Sequence, residues 1–193
     1  MADINKKELA LDIIKRLRKG GFRGYLAGGC VRDSIMKIEP YDYDIATDAL
    51  PSQVIGLFKK TVPVGLQYGV VLVIKKGVAF EVTTFRKDGR YVDGRHPEAV
   101  RFSKTPEEDV LRRDFTINGL LYDPFKKEIL DYIGGRADIK KGVIRSIGEP
   151  KDRFKEDKLR LMRAVRFAAR YKYRIEKDTL SAMKAMVSGI TEV

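Results

Sequence analysis

Histidine, cysteine and tryptophan are almost missing from these 193 residues, which hold one His (His96), one Cys (Cys30) and no Trp. A lone cysteine excludes an internal disulfide, so no disulfide partner is expected, and a lone histidine argues against a zinc site. A Ser-His-Asp triad would have to be built on His96 alone, and no motif supports one. Long apolar runs are missing as well. The longest purely aliphatic run covers residues 70–74, far below the roughly 20 residues that a membrane helix requires. Charges are spread through residues 1–19, so that stretch is not read as a secretory signal. No membrane partner is expected, and a reducing cytoplasmic setting is the default. There is no internal repeat and no low-complexity tract.

What the chain has is charge over a sufficient core. Hydrophobic residues make up 44 % and charged ones 34 %, with 39 Lys+Arg against 27 Asp+Glu, a net charge of +12. That composition folds, and the basic excess suits a polyanionic partner. The length fits one large domain, or a domain plus the start of a second.

Leu9, Ile13, Ile14 and Leu17 recur at helical spacing and predict an amphipathic opening helix that ends at Gly20-Gly21. Residues 24–29 read as a short buried strand running into a glycine turn, with a helix over 31–37. Strands are predicted over 41–47, 62–64, 70–74 and 78–85, the last two joined as a hairpin at Lys75-Lys76-Gly77. A helix over 51–60 opens with Pro51. Residues 86–104 hold no sustained period and contain Gly89, Gly94 and Pro97, so they are read as a long mobile loop. A helix over 106–113 takes Thr105 as its N-cap. Short strands around 119–122 and 129–132 flank a turn at Asp123-Pro124. From residue 154 the pattern is helical, interrupted around 174–178. Strands first and helices last predicts an α/β head followed by the beginning of an all-helical part.

Three constellations carry possible chemistry. Asp42 and Asp44 are two apart in the predicted strand, so both carboxylates emerge on one face, roughly 7 Å apart at the backbone. Two hard oxygen donors suit Mg²⁺ bound together with substrate phosphates; two exposed acids on an edge strand would look the same. Glu81 supplies a third catalytic carboxylate if its strand lies beside the first, and is otherwise a surface charge. Gly28-Gly29 precede a helix start with Arg32 close by, which either cradles a phosphate or forms an ordinary strand–helix turn. The stretch is neither a Walker loop nor a dinucleotide fingerprint. Finally, residues 156–170 read as one helix. There Arg163, Arg166 and Arg170 form a stripe, Arg160 flanks it, and Leu161, Val165 and Ala168 face the core. Asp157 lies within reach of Arg160, and such a pair matches the hydrogen-bonding edge of a nucleobase. A solvated charged face is the plain structural alternative.

In this order the pieces resemble the tRNA nucleotidyltransferase/poly(A) polymerase family of class II nucleotidyltransferases. The matching stretches are Leu26-Ala-Gly-Gly-Cys-Val-Arg-Asp33, Tyr41-Asp-Tyr-Asp-Ile-Ala-Thr47 and Arg112-Arg-Asp-Phe-Thr-Ile-Asn-Gly119. Two more are Asp131-Tyr-Ile-Gly-Gly-Arg-Ala-Asp138 and Glu156-Asp-Lys-Leu-Arg-Leu-Met-Arg-Ala-Val-Arg-Phe167. The resemblance spans roughly residues 20–175. It implies an α/β fold: a polymerase-beta-like nucleotidyltransferase head with a mixed sheet and flanking helices over 1–147, then the start of an all-helical neck over 148–193. It implies that Asp42 and Asp44 bind Mg²⁺, and that Gly29, Arg32 and Arg113 contact the triphosphate or sugar of the incoming nucleotide. For Arg113 the residues alone also allow a helix-end charge beside Asp109, and for Asn118 in the same motif a strand-end structural role. Asp157, Arg160, Arg163 and Arg166 look like the protein template that selects CTP or ATP. The implied chemistry is attack of the 3′-hydroxyl of tRNA on the α-phosphate, with release of pyrophosphate.

Within the family, poly(A) polymerases of the bacterial type carry a basic pair where this chain reads Val64-Gly-Leu-Gln-Tyr-Gly69. The segment 86–97 resembles the flexible element needed for the final A, with His96 as a turn residue. CCA addition, or addition of its terminal A, is therefore expected. A poly(A) polymerase and a non-catalytic RNA-binding fragment are the alternatives. Family members continue into a longer neck, body and tail, whereas this chain stops at Ile190-Thr-Glu-Val193. Nucleotide binding is accordingly expected to persist while tRNA extension is weak or lost; robust full-rate CCA addition by these residues would contradict that.

Overall fold

The computed structural model describes residues 5–91 and 97–188. Helix α1 (Lys6–Lys19) buries Leu9, Ala10, Ile13, Ile14 and Leu17 on one stripe, and the Asn5 side chain caps its start. Strand β1 (Gly24–Ala27), helix α2 (Gly29–Ile35), strand β2 (Asp44–Thr47) and helix α3 (Pro51–Leu57) follow. Next come β3 (Thr61–Gly65), β4 (Val70–Lys75) and β5 (Val78–Thr84). The β4–β5 hairpin turns on Lys76 and Gly77, both at positive φ (49° and 81°). Two such residues make the tight turn that matches the twist of paired strands.

Residues 86–104 are not the unstructured loop that their lack of period suggests. Among the described residues they contain β6 (Arg86–Asp88) and β7 (Val100–Phe102), paired antiparallel with Arg86 opposite Phe102. A three-residue stem is too short to show a period, so its pairing is invisible in the sequence. Residues 92–96, and with them His96, lie outside the described residues. Helix α4 (Pro106–Leu111) starts with Thr105 at the cap position, but the Thr105 side chain makes no capping bond. The Ser103 hydroxyl instead accepts from the Thr105 backbone N–H at 2.9 Å and bonds to Glu108.

Strands β8 (Leu121–Asp123) and β9 (Glu128–Leu130) complete a seven-stranded sheet in the order β3-β4-β5-β2-β1-β8-β9. The β2–β5 pair is parallel and the other neighbours are antiparallel, so the sheet is mixed as expected. Helix α5 (Gly135–Lys141) leads to β10 (Val143–Ile144), then α6 (Pro150–Glu156), α7 (Leu159–Tyr171), β11 (Arg174–Ile175) and α8 (Lys177–Met186). β10 and β11 pair in parallel, tying the helical segment to the residues before it. One apolar cluster takes in Ile13 of α1, Phe115, Phe154 of α6, Phe167 of α7 and Met183 of α8.

Candidate active site

The two aspartates come forward from one end of the sheet, though not as a strand pair. β2 begins only at Asp44, and Asp42 sits in the lead-in before it. The alternation still holds, with Tyr43 and Ile45 buried and Asp42 and Asp44 facing solvent. Parallel pairing of Ile45 with Val82 sets Asp44 beside Glu81 on the neighbouring strand. Glu81 thus has the placement on which its candidacy depended. Asp44 keeps exposed surface, yet it is walled in by the cleft. Desolvation there, the Glu81 carboxylate and Asp42 push it up to about 6, against the opposing pull of Arg113. A site that crowds carboxylates in this way is relieved by a divalent cation.

The glycine turn makes the next wall. Gly28 is at φ +68°, and an added Cβ would lie 2.9 Å from Arg113 Nη1. Gly29 has no such constraint, its nearest neighbour being Arg32 Nη2 at 3.5 Å. Gly28 is thus the glycine this geometry requires. Arg32, only 5 % exposed, donates from Nε to Asp33 Oδ1 at 2.8 Å and from Nη1 to Asn118. Its guanidinium lies over the rings of Phe167 (5.4 Å) and Tyr171 (4.8 Å). Arg113 is anchored by Asp109 at 2.9 Å, the pairing that the residues alone allowed, and it also borders the cleft. Asn118 is not a strand end; it closes a single 3-10 turn, Thr116–Asn118, and donates to Asp114 at 3.0 Å.

The third wall corrects the sequence reading of the arginine helix. Residues 156–170 are not one helix: α6 ends at Glu156, Asp157 is extended, and α7 starts at Leu159. Asp157 Oδ1 accepts from the Leu159 N–H at 3.0 Å, which offers the backbone an alternative to helix at that point. The break puts Arg160 in the first turn of α7, buried rather than on an open stripe. Its Nη1 is held by the Arg153 carbonyl (2.9 Å) and by Glu156 (2.7 Å), while its Nε stands 4.0 Å from Asp157 Oδ2. The core face of α7 is Leu161, Ala164 and Phe167, and Val165 is 53 % exposed. Val165 misses the core because the buried face of α7 is centred on Ala164, between Leu161 and Phe167, and the next position lies about 100° further round the helix. Arg163 pairs with Asp114 at 2.5 Å. Among the described residues, Arg166 and Arg170 have no carboxylate partner and border the cleft.

These walls enclose one cleft of about 860 Å³. Asp42, Asp44, Glu81, Gly29, Arg32, Arg113, Asp157, Arg160, Arg163 and Arg166 all line it. Among the described residues eight arginines and six carboxylates face it. Sequence reasoning passed over Arg86, Asp88, Tyr91 and Asp114 on the same walls. Asp114 stands inside a quoted motif, whereas the others lie in the hairpin that carries no period. Tyr91 donates to Asp88 at 2.7 Å and accepts from Arg160 at 3.5 Å, joining that hairpin to α7.

The donor set fits a hard cation shared with a substrate. Among the described residues no group of three His, Cys, Asp or Glu side chains is disposed to hold a metal alone. Mg²⁺ commonly takes one or two protein carboxylates and completes its shell with phosphates and water. Asp42 and Asp44 match that number, and the arginines bordering the same cleft carry the charge that phosphates would need.

Comparison with known proteins agrees with this geometry. The family model described as the poly A polymerase head domain matches residues 24–145. A CCA-adding enzyme of Bacillus velezensis is 49 % identical over 174 residues, covering 90 % of this chain and 44 % of that protein. The crystal structure of the Bacillus stearothermophilus CCA-adding enzyme in complex with CTP superposes with a TM-score of 0.84. It is 42 % identical and covers 93 % of this chain and 43 % of that one. A tRNA nucleotidyltransferase complexed with a primer tRNA and an incoming ATP analog gives a TM-score of 0.72 at 26 % identity, over 91 % of this chain and 50 % of that one. The chain spans about 43–44 % of the length of the curated relatives it matches. The family model matches well over half of the chain, relatives described as CCA-adding enzymes match nine-tenths of it, and the chain belongs to the poly A polymerase head domain family.

Proposed function

We propose that this chain is the nucleotidyl-transferring part of a CCA-adding tRNA nucleotidyltransferase, using CTP and ATP and acting on the 3′ end of tRNA in the cytoplasm. Residues 1–147 form the catalytic head and 148–193 begin the neck that reads the nucleobase. One observation carries the reading: ten residues suited to metal, phosphate and base contacts, from separate segments of the sequence, border a single cleft. Relatives described as CCA-adding enzymes, and a related structure described as holding CTP, support the choice of reaction and nucleotide.

Asp42 and Asp44 would hold Mg²⁺, with Glu81 as a further carboxylate beside Asp44. A cation held there would supply charge neutralisation for the triphosphate and would lower the pKa of the attacking hydroxyl. Arg32 and Arg113 bind and orient the triphosphate, Arg32 with little freedom because Asp33, Asn118 and two rings fix it. Arg163 and Arg166 meet further phosphate or ribose oxygens. Asp157 offers an acceptor and Arg160 Nε a donor to the edge of the base, a pairing that selects without a nucleic-acid template. The 3′-hydroxyl gives its proton to water as its oxygen bonds to the α-phosphorus, and the bond from that phosphorus to the bridging oxygen breaks, so that pyrophosphate leaves. No protein nucleophile is needed, and positioning with charge stabilisation supplies the catalysis.

The test incubates the chain, in excess over RNA so that one slow addition is visible, with tRNAs ending before CCA, after CC, and with oligo(A). CTP and ATP are supplied separately. CTP use on the shortest tRNA supports CCA addition, ATP use only after CC supports A addition, and a long A tail contradicts both. Asp42→Ala with Asp44→Ala is expected to abolish incorporation and spare RNA binding; unchanged incorporation overturns the metal assignment.

A further inference from the structure

A second groove lies at the other end of strand β4. Val70, at the start of β4, borders the catalytic cleft, and Lys75, at its end, borders this groove. Six residues of strand separate the two by about 17 Å. The groove encloses about 470 Å³ and shares no lining residue with the cleft. Its rim carries Lys15, Arg16 and Lys19 from the last turns of α1, Lys59 and Lys60 from the link after α3, and Lys75. Among the described residues the only acid on that rim is Asp12, already paired with Lys75 at 2.9 Å. Arg16 donates to the Leu57 carbonyl at 3.3 Å. Among the described residues Lys15, Lys19, Lys59 and Lys60 are exposed and have no ion-pair partner. The floor is apolar, with half-buried Leu57, Phe58 and Ile74.

We propose that this groove is a second RNA-binding site, which holds a single-stranded segment of RNA backbone outside the catalytic cleft. Four unpaired ammonium groups above an apolar floor bearing an aromatic ring match what such a strand presents: phosphates at regular intervals and a base face to lay on Phe58. A surface lysine spread only for solubility needs neither the groove nor the floor. Asp12 is held below its ordinary value by its bond to Lys75 and by the charges of Lys75, Lys15 and Lys76. The positive field of the groove is therefore felt even by the one acid within it. The choice of RNA among polyanions rests on the proposed function; the groove itself does not.

The test measures binding of a 5′-labelled tRNA lacking CCA to the chain by fluorescence anisotropy across a salt series. The variant carries Lys15→Glu, Lys19→Glu, Lys59→Glu and Lys60→Glu. A control with the same change in net charge carries Lys126→Glu, Lys140→Glu, Lys141→Glu and Lys151→Glu, all at exposed positions. The groove variant is expected to bind at least about tenfold more weakly, with a salt slope flatter by about 0.7 for each single-strand phosphate that the groove no longer neutralises. CTP binding, measured separately, is expected to stay unchanged; this keeps a failure of the groove distinct from a failure of the cleft and reports that the variant is folded. Unchanged tRNA affinity and slope in the groove variant overturns the proposal. So does an equal loss in the control, which would make the effect one of net charge. Competition by an acidic peptide but not by oligo(U) assigns the groove to a protein and also overturns it.

Discussion

Asp109 offers the sharpest test of how the cleft is held together. It is fully buried, and it meets Arg112 Nε at 2.8 Å and Arg113 Nη2 at 2.9 Å. Substituting Asn keeps the shape but removes the charge that balances two guanidinium groups, each 17 % exposed. Breaking a buried pair by deleting one partner costs about 3–5 kcal/mol. The arginines border the cleft and can turn partly toward water, so the low end, about 3 kcal/mol, is expected. For a chain of this size each kcal/mol shifts Tm by about 2–4 °C, giving a fall of about 6–12 °C in thermal unfolding at pH 7. The pH dependence has a definite sign. Burial raises the pKa of Asp109, but Arg113 and Arg112 outweigh it and hold the group below its ordinary 3.8. A depressed pKa means stabilisation that is full above about 3.8 and fades as pH falls through the folded value. The gap between wild type and Asp109→Asn should therefore be constant from about pH 5 to 7 and narrow only in stronger acid. Asp109→Asn should also weaken CTP binding, because Arg113 loses its anchor. A Tm within about 2 °C of wild type at pH 7 would refute the reasoning.

Other outcomes follow from the same geometry. Gly28→Ala places a Cβ 2.9 Å from Arg113 Nη1 at a φ of +68°; a cost of about 1–3 kcal/mol in unfolding free energy, with weakened nucleotide binding, is expected, whereas Gly29→Ala should be milder on both measures. Arg32→Lys keeps the charge but loses the fork to Asp33 and Asn118 and the stack on Phe167 and Tyr171. Nucleotide affinity should fall at least about tenfold by titration calorimetry, and an unchanged affinity would exclude Arg32 from the site. On α7, Val165→Lys should leave stability within about 0.5 kcal/mol, while Phe167→Ala should cost about 3–5 kcal/mol in denaturant unfolding. The reverse order would put the buried face of α7 on the Val165 side.

Much of this architecture is legible in the residues because local pattern and tertiary role agree. The Leu9–Leu17 stripe, the Lys76-Gly77 turn and the alternation through Asp42, Tyr43 and Asp44 each obey one period or one turn rule. The cleft is legible because its parts sit in short motifs whose residue types are unusual together. What the sequence hides, it hides for identifiable reasons. The β6–β7 stem is three residues long on each side, so its pairing depends on partners distant in sequence. The break at Asp157 is made by a side chain that competes with the helix, and nothing in a run of Leu, Arg and Met around it marks the stop. Within α7 the apolar residues Leu161, Val165 and Ala168 suggest one face, but the buried face turns toward Arg160, Ala164 and Phe167. Arg160 is bound by Glu156 and the Arg153 carbonyl, and hydrophobicity alone does not show that. Gly28 and Gly29 are equivalent on paper; only the backbone angle and the approach of Arg113 tell them apart.

The central claim is that Asp42 and Asp44 bind a cation jointly with the nucleotide. Titration of CTP into the chain, in Mg²⁺ and again in chelator, tests this most directly when repeated on Asp42→Ala with Asp44→Ala. Mg²⁺ is predicted to tighten CTP binding to the wild-type chain by about tenfold, or about 1.4 kcal/mol. The double variant should lose this dependence while its chelator-state affinity, set by the arginines, is retained. A double variant whose CTP binding responds to Mg²⁺ as the wild type does would contradict the claim.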